Sequence, residues 1–281
     1  MEKIIVVNPQ EFQKTKQKIK EKGADELHIL SDFDRTLTYG KTPTGEKTQT
    51  VISRLRSDPK YLGEDYSKKA HELFDLYHPI EINLKIPLQE KKLKMEEWWK
   101  KHFDLISNSG LTKKIIQQVI EEKPIHFRKG TKQFLERLNK KSIPLIILSA
   151  GPGDMIKGYL EKDNLNFENI EIIGNQYEFD EAGKTTKVKG PIIHTFNKDE
   201  TSLPAEVLEK IKLRKNVILL GDSIGDVGMI EGFNYDNLTK IGFLNEEVKE
   251  NLEEYKKHFD IILTKDQDFN FVNKLLKEIL K

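Results

Sequence analysis

The stretch His28-Ile29-Leu30-Ser31-Asp32-Phe33-Asp34-Arg35-Thr36-Leu37-Thr38 sets the reading of the whole chain. A short apolar run stops at two aspartates one residue apart, and small polar residues follow. If the run is a buried strand, the aspartates sit where the chain leaves the sheet, which is where open α/β sheets bind ligands. Two carboxylates so close repel, and one pKa rises unless a cation lies between them. A hard divalent ion held by oxygens answers that repulsion, with Mg²⁺ the usual choice beside phosphate. An Asp after a strand is also a common turn former or helix cap, so this stretch alone leaves both readings open.

Working outward, residues 10–23 read as a surface helix with Phe12 and Ile19 on its apolar side and Gly23 as its stop. After Thr38, the run Tyr39-Gly40-Lys41-Thr42-Pro43-Thr44-Gly45 is a loop. Residues 47–122 carry helical patterns and little strand signal. Ala70, Leu73, Phe74 and Tyr77 recur at helical spacing, and Leu93, Trp98, Phe103 and Leu105 mark a second helix. Pro79 and Pro87 are expected to break the chain on either side of Glu81. This segment reads as a helical insertion, residues 41–122, placed where it can close over the strand tip. Residues 1–40 and 123–281 form the rest.

Beyond the insertion, buried-type strands end at Ser149 and at Gly221-Asp222, and two further strands are expected near residues 238–243 and 259–263. Helices separate them, so the fold expected is α/β: a doubly wound, Rossmann-like parallel sheet with helices on both faces. Residues 174–196 show short alternating signals with turns, a small β excursion.

The totals narrow the function. The chain has 281 residues, enough for one large α/β domain with an inserted part. Lys and Arg number 47 against 46 Asp and Glu, a net charge of +1 that gives no field to attract nucleic acid or membrane. There is no cysteine, which excludes disulfides, thiolate nucleophiles and cysteine zinc sites. No apolar run approaches the roughly 20 residues of a membrane span. The apolar patch at residues 4–7 lacks the length and cleavage site of a secretory signal. A soluble, cytoplasmic monomer is expected.

In a parallel sheet the tips lie on one edge, so Asp32 and Asp34, Ser149, and Asp222 and Asp226 converge there, with Lys198 from Phe196-Asn197-Lys198. That set suits a phosphate and a divalent cation. A hydroxyl and the amides of a helix start hold phosphate oxygens, the lysine adds a point charge, and the carboxylates hold the metal.

In that order these segments resemble the four motifs of haloacid-dehalogenase-type phosphohydrolases. Ile147-Leu148-Ser149-Ala150-Gly151-Pro152-Gly153-Asp154, Ile192-Ile193-His194-Thr195-Phe196-Asn197-Lys198, Lys240-Ile241-Gly242-Phe243-Leu244-Asn245, Tyr77-His78-Pro79-Ile80-Glu81 and Met95-Glu96-Glu97-Trp98-Trp99 resemble the cytosolic type III pyrimidine 5′-nucleotidases over nearly the whole chain. The resemblance implies a Mg²⁺-dependent 5′-nucleotidase for CMP and UMP, with phosphotransfer as a side activity. It implies Asp32 as nucleophile and Asp34 as general acid and base. It places Mg²⁺ on the Asp32 carboxylate, the Asp34 carbonyl and Asp222, with Asp226 orienting the metal's waters. Ser149, the Ala150 amide and Lys198 would hold the phosphoryl oxygens, and Glu81 would read the sugar or base. The family's serine just past the tryptophans falls at His102 here, so the base preference stays open. A Trp-Trp pair also occurs in relatives that accept 7-methylguanosine monophosphate. Adjacent tryptophans cannot share one helix face, so one is expected in the core and the other on the base. The rivals are a small-metabolite phosphatase of the phosphoserine type and a catalytically silent nucleotide-binding protein.

Overall fold

The computed structural model describes residues 3–83, 85–199 and 203–281; Met1, Glu2, Leu84 and residues 200–202 lie outside the description. The chain opens with β1 (Ile4–Val6), α1 (Pro9–Lys22) and β2 (Leu27–Ser31). Four helices follow: α2 (Ser53–Arg56), α3 (Glu64–Ile82), α4 (Leu88–Asn108) and α5 (Lys113–Glu122). Then come α6 (Thr131–Lys140), β3 (Leu145–Pro152), α7 (Gly153–Lys162), β4 (Ile170–Phe179), β5 (Thr185–Lys189) and α8 (Ala205–Ile211). The last third holds β6 (Asn216–Gly221), a 3-10 stretch (Ile224–Ile230), β7 (Asn237–Leu244), α9 (Val248–His258), β8 (Ile261–Thr264) and α10 (Asn270–Ile279).

The strands form one eight-stranded sheet in the order β1-β8-β7-β6-β2-β3-β4-β5. β8, β7, β6, β2, β3 and β4 run parallel, and β1 and β5 add antiparallel edges. Both faces are buried, as the near-continuous apolar strands require. Ile29, Leu145, Ile147, Ile218 and Leu220 belong to one hydrophobic cluster, and Leu30, Ile146, Leu148, Val217 and Leu219 to another. The alternation is the two-residue period of a strand read onto two helical layers. This is the doubly wound architecture expected.

Four differences from the sequence reading have local causes. The patch at residues 4–7 contains β1, paired to β8, because an edge strand of three residues needs only one neighbour. The excursion after residue 174 is not separate from the preceding strand: β4 runs ten residues and turns back on β5. Pro79 does not break α3, which continues to Ile82. A proline removes one i→i−4 bond, and so near the helix end few further bonds depend on it. Finally, α7 starts four residues after Ser149, so the irregular tip of β3 and not a helix start presents the amides beside that hydroxyl.

The helical segment leaves and rejoins the sheet at one place. Thr38 bridges Phe127, and Tyr39 N–H donates to the His126 carbonyl at 2.9 Å. The segment between those points is also tied to the rest of the chain along its length: Lys113 N–H donates to the Gly183 carbonyl and Thr185 N–H to the Leu111 carbonyl.

Candidate active site

β2 lies between β6 and β3, all parallel, so their C-terminal tips are neighbours. Asp32 extends β2 by one more ladder bond, its N–H donating to the Leu220 carbonyl at 2.9 Å. That bond sets Asp32 beside Gly221-Asp222. Lys198 enters between the tips: its Nζ is 2.6 Å from Asp32 Oδ1 and 3.0 Å from Asp226 Oδ1, all three side chains being buried. Asp226 Oδ2 accepts from Asp222 N–H, Ser223 N–H and Ser223 Oγ at 3.1, 2.9 and 3.0 Å. Gly221 makes room for it, since a Cβ there would lie 2.5 Å from Asp226 Cβ.

One carboxylate oxygen each from Asp32, Asp222 and Asp226 lies within 4.8 Å of the others. Asp226 has donors on both its oxygens. Among the described residues neither Asp32 Oδ2 nor the Asp222 carboxylate accepts a hydrogen bond. Burial raises Asp32 to about 7, with Lys198 opposing and Asp226 adding. Burial, then the charges of Asp32 and Asp226, lifts Asp222 well above the ordinary range. Burial opposes the charge on Lys198, but Asp226 and Asp32 outweigh it and raise its pKa. Three acids against one ammonium leave negative charge that protons or a cation must offset. Hard oxygen donors with open lone pairs fit Mg²⁺.

Asp34 points to the other side of the tip. Both its oxygens accept from Val51 N–H, at 3.0 and 3.1 Å, and burial raises it to about 6 against that bond. The loop carrying it is fixed from below by Arg128, 1% exposed, a residue the sequence reading did not single out. Its Nε donates to the Thr36 carbonyl, Nη1 to Asp266 Oδ1 and the Gln267 carbonyl, and Nη2 to Asn245 Oδ1 and the Arg35 carbonyl. All five guanidinium donors are thus used. Arg35 holds a left-handed backbone, φ 60, that this anchoring maintains.

These residues share a cavity of about 1380 Å³. Asp32, Asp34, Ser149, Ala150, Lys198, Asp222 and Asp226 line it from the sheet edge, and Glu81, Trp98, Trp99 and His102 line it from α3 and α4. Ser149 Oγ accepts from Gly151 N–H at 3.0 Å, which leaves its own hydrogen to give. Glu81 sits in the last turn of α3, not in a loop, with Oε1 2.5 Å from Thr195 Oγ1 and Oε2 3.0 Å from His78 Nδ1.

Every predicted site residue therefore faces one space. The tryptophans depart from expectation: both line the cavity, though each is more than nine-tenths buried. Their rings, 6.0 Å apart and inclined by 34°, are wide enough to reach one wide cavity from adjacent positions. Both indole Nε1 atoms are buried without a partner among the described residues. His102 lines the same cavity but is 2% exposed and paired through Nε2 with the Tyr66 hydroxyl at 3.1 Å. Burial holds its imidazole down at about 3, so it is neutral. Thr195 and Arg128 went unread, since each acts through a partner more than 90 residues away in sequence.

The chain matches the family model for pyrimidine 5′-nucleotidase (UMPH-1) over residues 35–280. It is 36% identical over 265 residues to the 7-methylguanosine phosphate-specific 5′-nucleotidase of Gallus gallus, covering 93% of this chain and 91% of that protein. With the Homo sapiens protein of the same name it shares 35% over 279 residues, covering 99% and 92%. Its fold is similar to that of a crystal structure of cytosolic 5′-nucleotidase IIIB bound to cytidine, with a TM-score of 0.91 at 30% identity, covering 99% of this chain and 94% of that one.

Proposed function

The chain belongs to the pyrimidine 5′-nucleotidase (UMPH-1) family of haloacid-dehalogenase-like hydrolases, and on that premise we propose that it removes the phosphate from nucleoside 5′-monophosphates. Residues 1–40 and 123–281 act as the core and residues 41–122 as a cap over its sheet edge. Asp32 is the nucleophile. Its Oδ2, the oxygen without a donor, attacks phosphorus in line with the leaving ribose oxygen and forms an aspartyl-phosphate. Asp34 gives a proton to that oxygen, then takes one from the water that cleaves the acyl phosphate. Val51 N–H fixes the Asp34 carboxyl for both steps. Lys198, the Ser149 hydroxyl and the Ala150 amide hold the phosphoryl oxygens as charge moves among them. Asp32 and Asp222, with the Asp34 carbonyl, would hold Mg²⁺ while Asp226 orients its waters, and the bound ion would shield the carboxylates from the incoming phosphate.

Two bases compete for the cap wall. We infer that 7-methylguanosine monophosphate is the better substrate and CMP or UMP the second. The observation that carries this is that Trp98, Trp99 and Glu81 line the same cavity, all from α3 and α4. A cationic, wide purine gains from aromatic faces and from a carboxylate together. The names of the Gallus gallus and Homo sapiens relatives support that order. The family name and the cytidine-bound structure support the pyrimidines. A cytosolic site of action and a monomeric state go with this reading.

Phosphate release across 7-methyl-GMP, CMP, UMP, AMP, GMP and phosphoserine, with Mg²⁺, tests it. The expected order is 7-methyl-GMP, then CMP and UMP, then the rest. Turnover of phosphoserine ahead of every nucleotide, or of no compound at all, overturns it.

A further inference from the structure

We infer that Thr195 is the positioning residue for Glu81 and so helps set which phosphate esters the enzyme accepts. The inference rests on the nucleotidase reading above and adds a residue to it. Thr195 Oγ1 donates to Glu81 Oε1 at 2.5 Å, across 114 positions of sequence, joining the sheet side of the cavity to α3. The second Glu81 oxygen is held by His78 Nδ1 at 3.0 Å, and the Glu81 carbonyl takes Lys91 Nζ at 2.9 Å. The Lys91 ammonium lies 5.2 Å from the centroid of the Phe196 ring, next to Thr195 in sequence. With one donor on each oxygen the carboxylate plane is fixed. Each oxygen keeps a lone pair for a ligand in the cavity that Glu81 lines.

Thr195 itself is held so that its hydroxyl has one task. A Cβ at Gly225 would lie 2.9 Å from Thr195 Cγ2 and 3.1 Å from its carbonyl oxygen, so the methyl face is seated against bare backbone. A β-branched side chain seated this way has its χ1 set, which aims Oγ1. The loop under it is bonded within itself and to β4: His194 N–H donates to Asn197 Oδ1, Phe196 N–H to His194 Nδ1, and Ile193 N–H to Asn175 Oδ1 of β4. Three residues further on the same loop delivers Lys198 to Asp32 and Asp226. One rigid loop thus carries the phosphoryl-side cation at one end and the orienter of the nucleoside-side acid at the other. Thr195 keeps Glu81 at a fixed offset from the phosphorus. An ester lacking a nucleoside makes no use of that offset.

The test compares kcat and KM for wild type, Thr195→Val, Thr195→Ser, Glu81→Ala and the Thr195→Val/Glu81→Ala pair on 7-methyl-GMP, CMP and p-nitrophenyl phosphate. Thr195→Val keeps the shape and removes the donor. The ratio of nucleotide to p-nitrophenyl phosphate kcat/KM should fall about 10-fold, carried by KM, the scale of one charge-assisted hydrogen bond. Thr195→Ser should restore the ratio, and Thr195→Val should add nothing in the Glu81→Ala background. Should Thr195→Val fail to fold, Thr195→Ala is read in the same way. An unchanged ratio in Thr195→Val, an equal loss on both substrate classes, or a full effect without Glu81 overturns the assignment of Thr195 alone. Wild type without nucleotide turnover overturns the nucleotidase reading and this inference with it.

Discussion

At the sheet edge, Asp32, Lys198 and Asp226 are buried against one another, tied by backbone amides and joined by short ion pairs. Across the cavity, Trp98 and Trp99 lie in an aromatic group with Tyr77, Phe74 and Phe103, and Glu81 is reached by contacts from two other elements. The first wall sets one ammonium 2.6 and 3.0 Å from two buried carboxylates, the kind of preset charge that phosphoryl transfer uses. The second offers area and a few polar points, as recognition of a flat base demands. On the nucleotidase reading proposed above, the difference assigns bond-making to the first wall and choice of ester to the second, the two being joined through the loop that carries Lys198 and Thr195.

Asp32→Asn carries the largest expected effect. Turnover should drop on the order of 10⁴–10⁶-fold, the scale of removing a covalent nucleophile. Thermal denaturation should still be cooperative, and the nucleosides cytidine and 7-methylguanosine should still bind by calorimetry. Near-normal turnover, with the substitution verified by mass, contradicts the assignment; loss of nucleoside binding contradicts the separation. Chelation comes next. Exhaustive EDTA treatment should cut activity by at least about 100-fold, and Mg²⁺ should restore it, while nucleoside affinity changes little. Full activity after chelation removes the metal from the account. On the second wall, Trp98→Ala or Trp99→Ala should raise KM for 7-methyl-GMP about 10-fold, within the roughly 1–3 kcal/mol of base stacking. If neither change moves KM, the base lies elsewhere.

The smallest effect is on stability. His28 is lowered to about 4 by burial, with its Nδ1 bonded to the Arg214 carbonyl, and His102 to about 3, also by burial. Below pH 6.5 the unfolded chain takes protons on both rings. The folded chain resists until pH 4 to 3, so the stability these two rings contribute is full above 6.5 and lost as pH falls through that window. The raised carboxyls of Asp32, Asp34 and Asp222 act in the opposite sense over this range, so the histidine share is read as a difference: between pH 7 and pH 4 the urea midpoint of His102→Gln should fall less, or rise more, than that of wild type, by up to about one proton in slope. A slope equal to that of wild type shows that His102 titrates normally, which would open the cap wall to water.

The first wall was legible in sequence because each part is local. Asp32 and Asp222 stand just past the ends of β2 and β6, and Ser149 lies in the irregular last part of β3, so an apolar run running into a polar residue gives the position in the sheet and parallel pairing brings the tips together. Lys198 was legible through its resemblance to a motif; its loop alone would not have placed it between two carboxylates. The second wall is tertiary. Glu81 is named through the resemblance, but the break expected at Pro79 does not occur, because a proline in the sequence says nothing of how many helical bonds lie beyond it. Trp98 and Trp99 were expected to divide between core and cleft, because helix periodicity gives directions but not the width of the space they meet. Thr195 lies within a stretch that carries the resemblance, but neither its role nor that of Arg128 is written locally, since their partners are brought near only by the fold.

Arg128 binds the carbonyls of Arg35 and Thr36 at one edge of its guanidinium, and Asn245, Asp266 and Gln267 around the rest. A ribosome releases those pieces in numerical order. The loop with both aspartates emerges early, but its last anchor does not exist until translation has passed Gln267. A nascent chain that has not yet reached Gln267 therefore holds all the named acids and still lacks part of the clamp that shapes their loop.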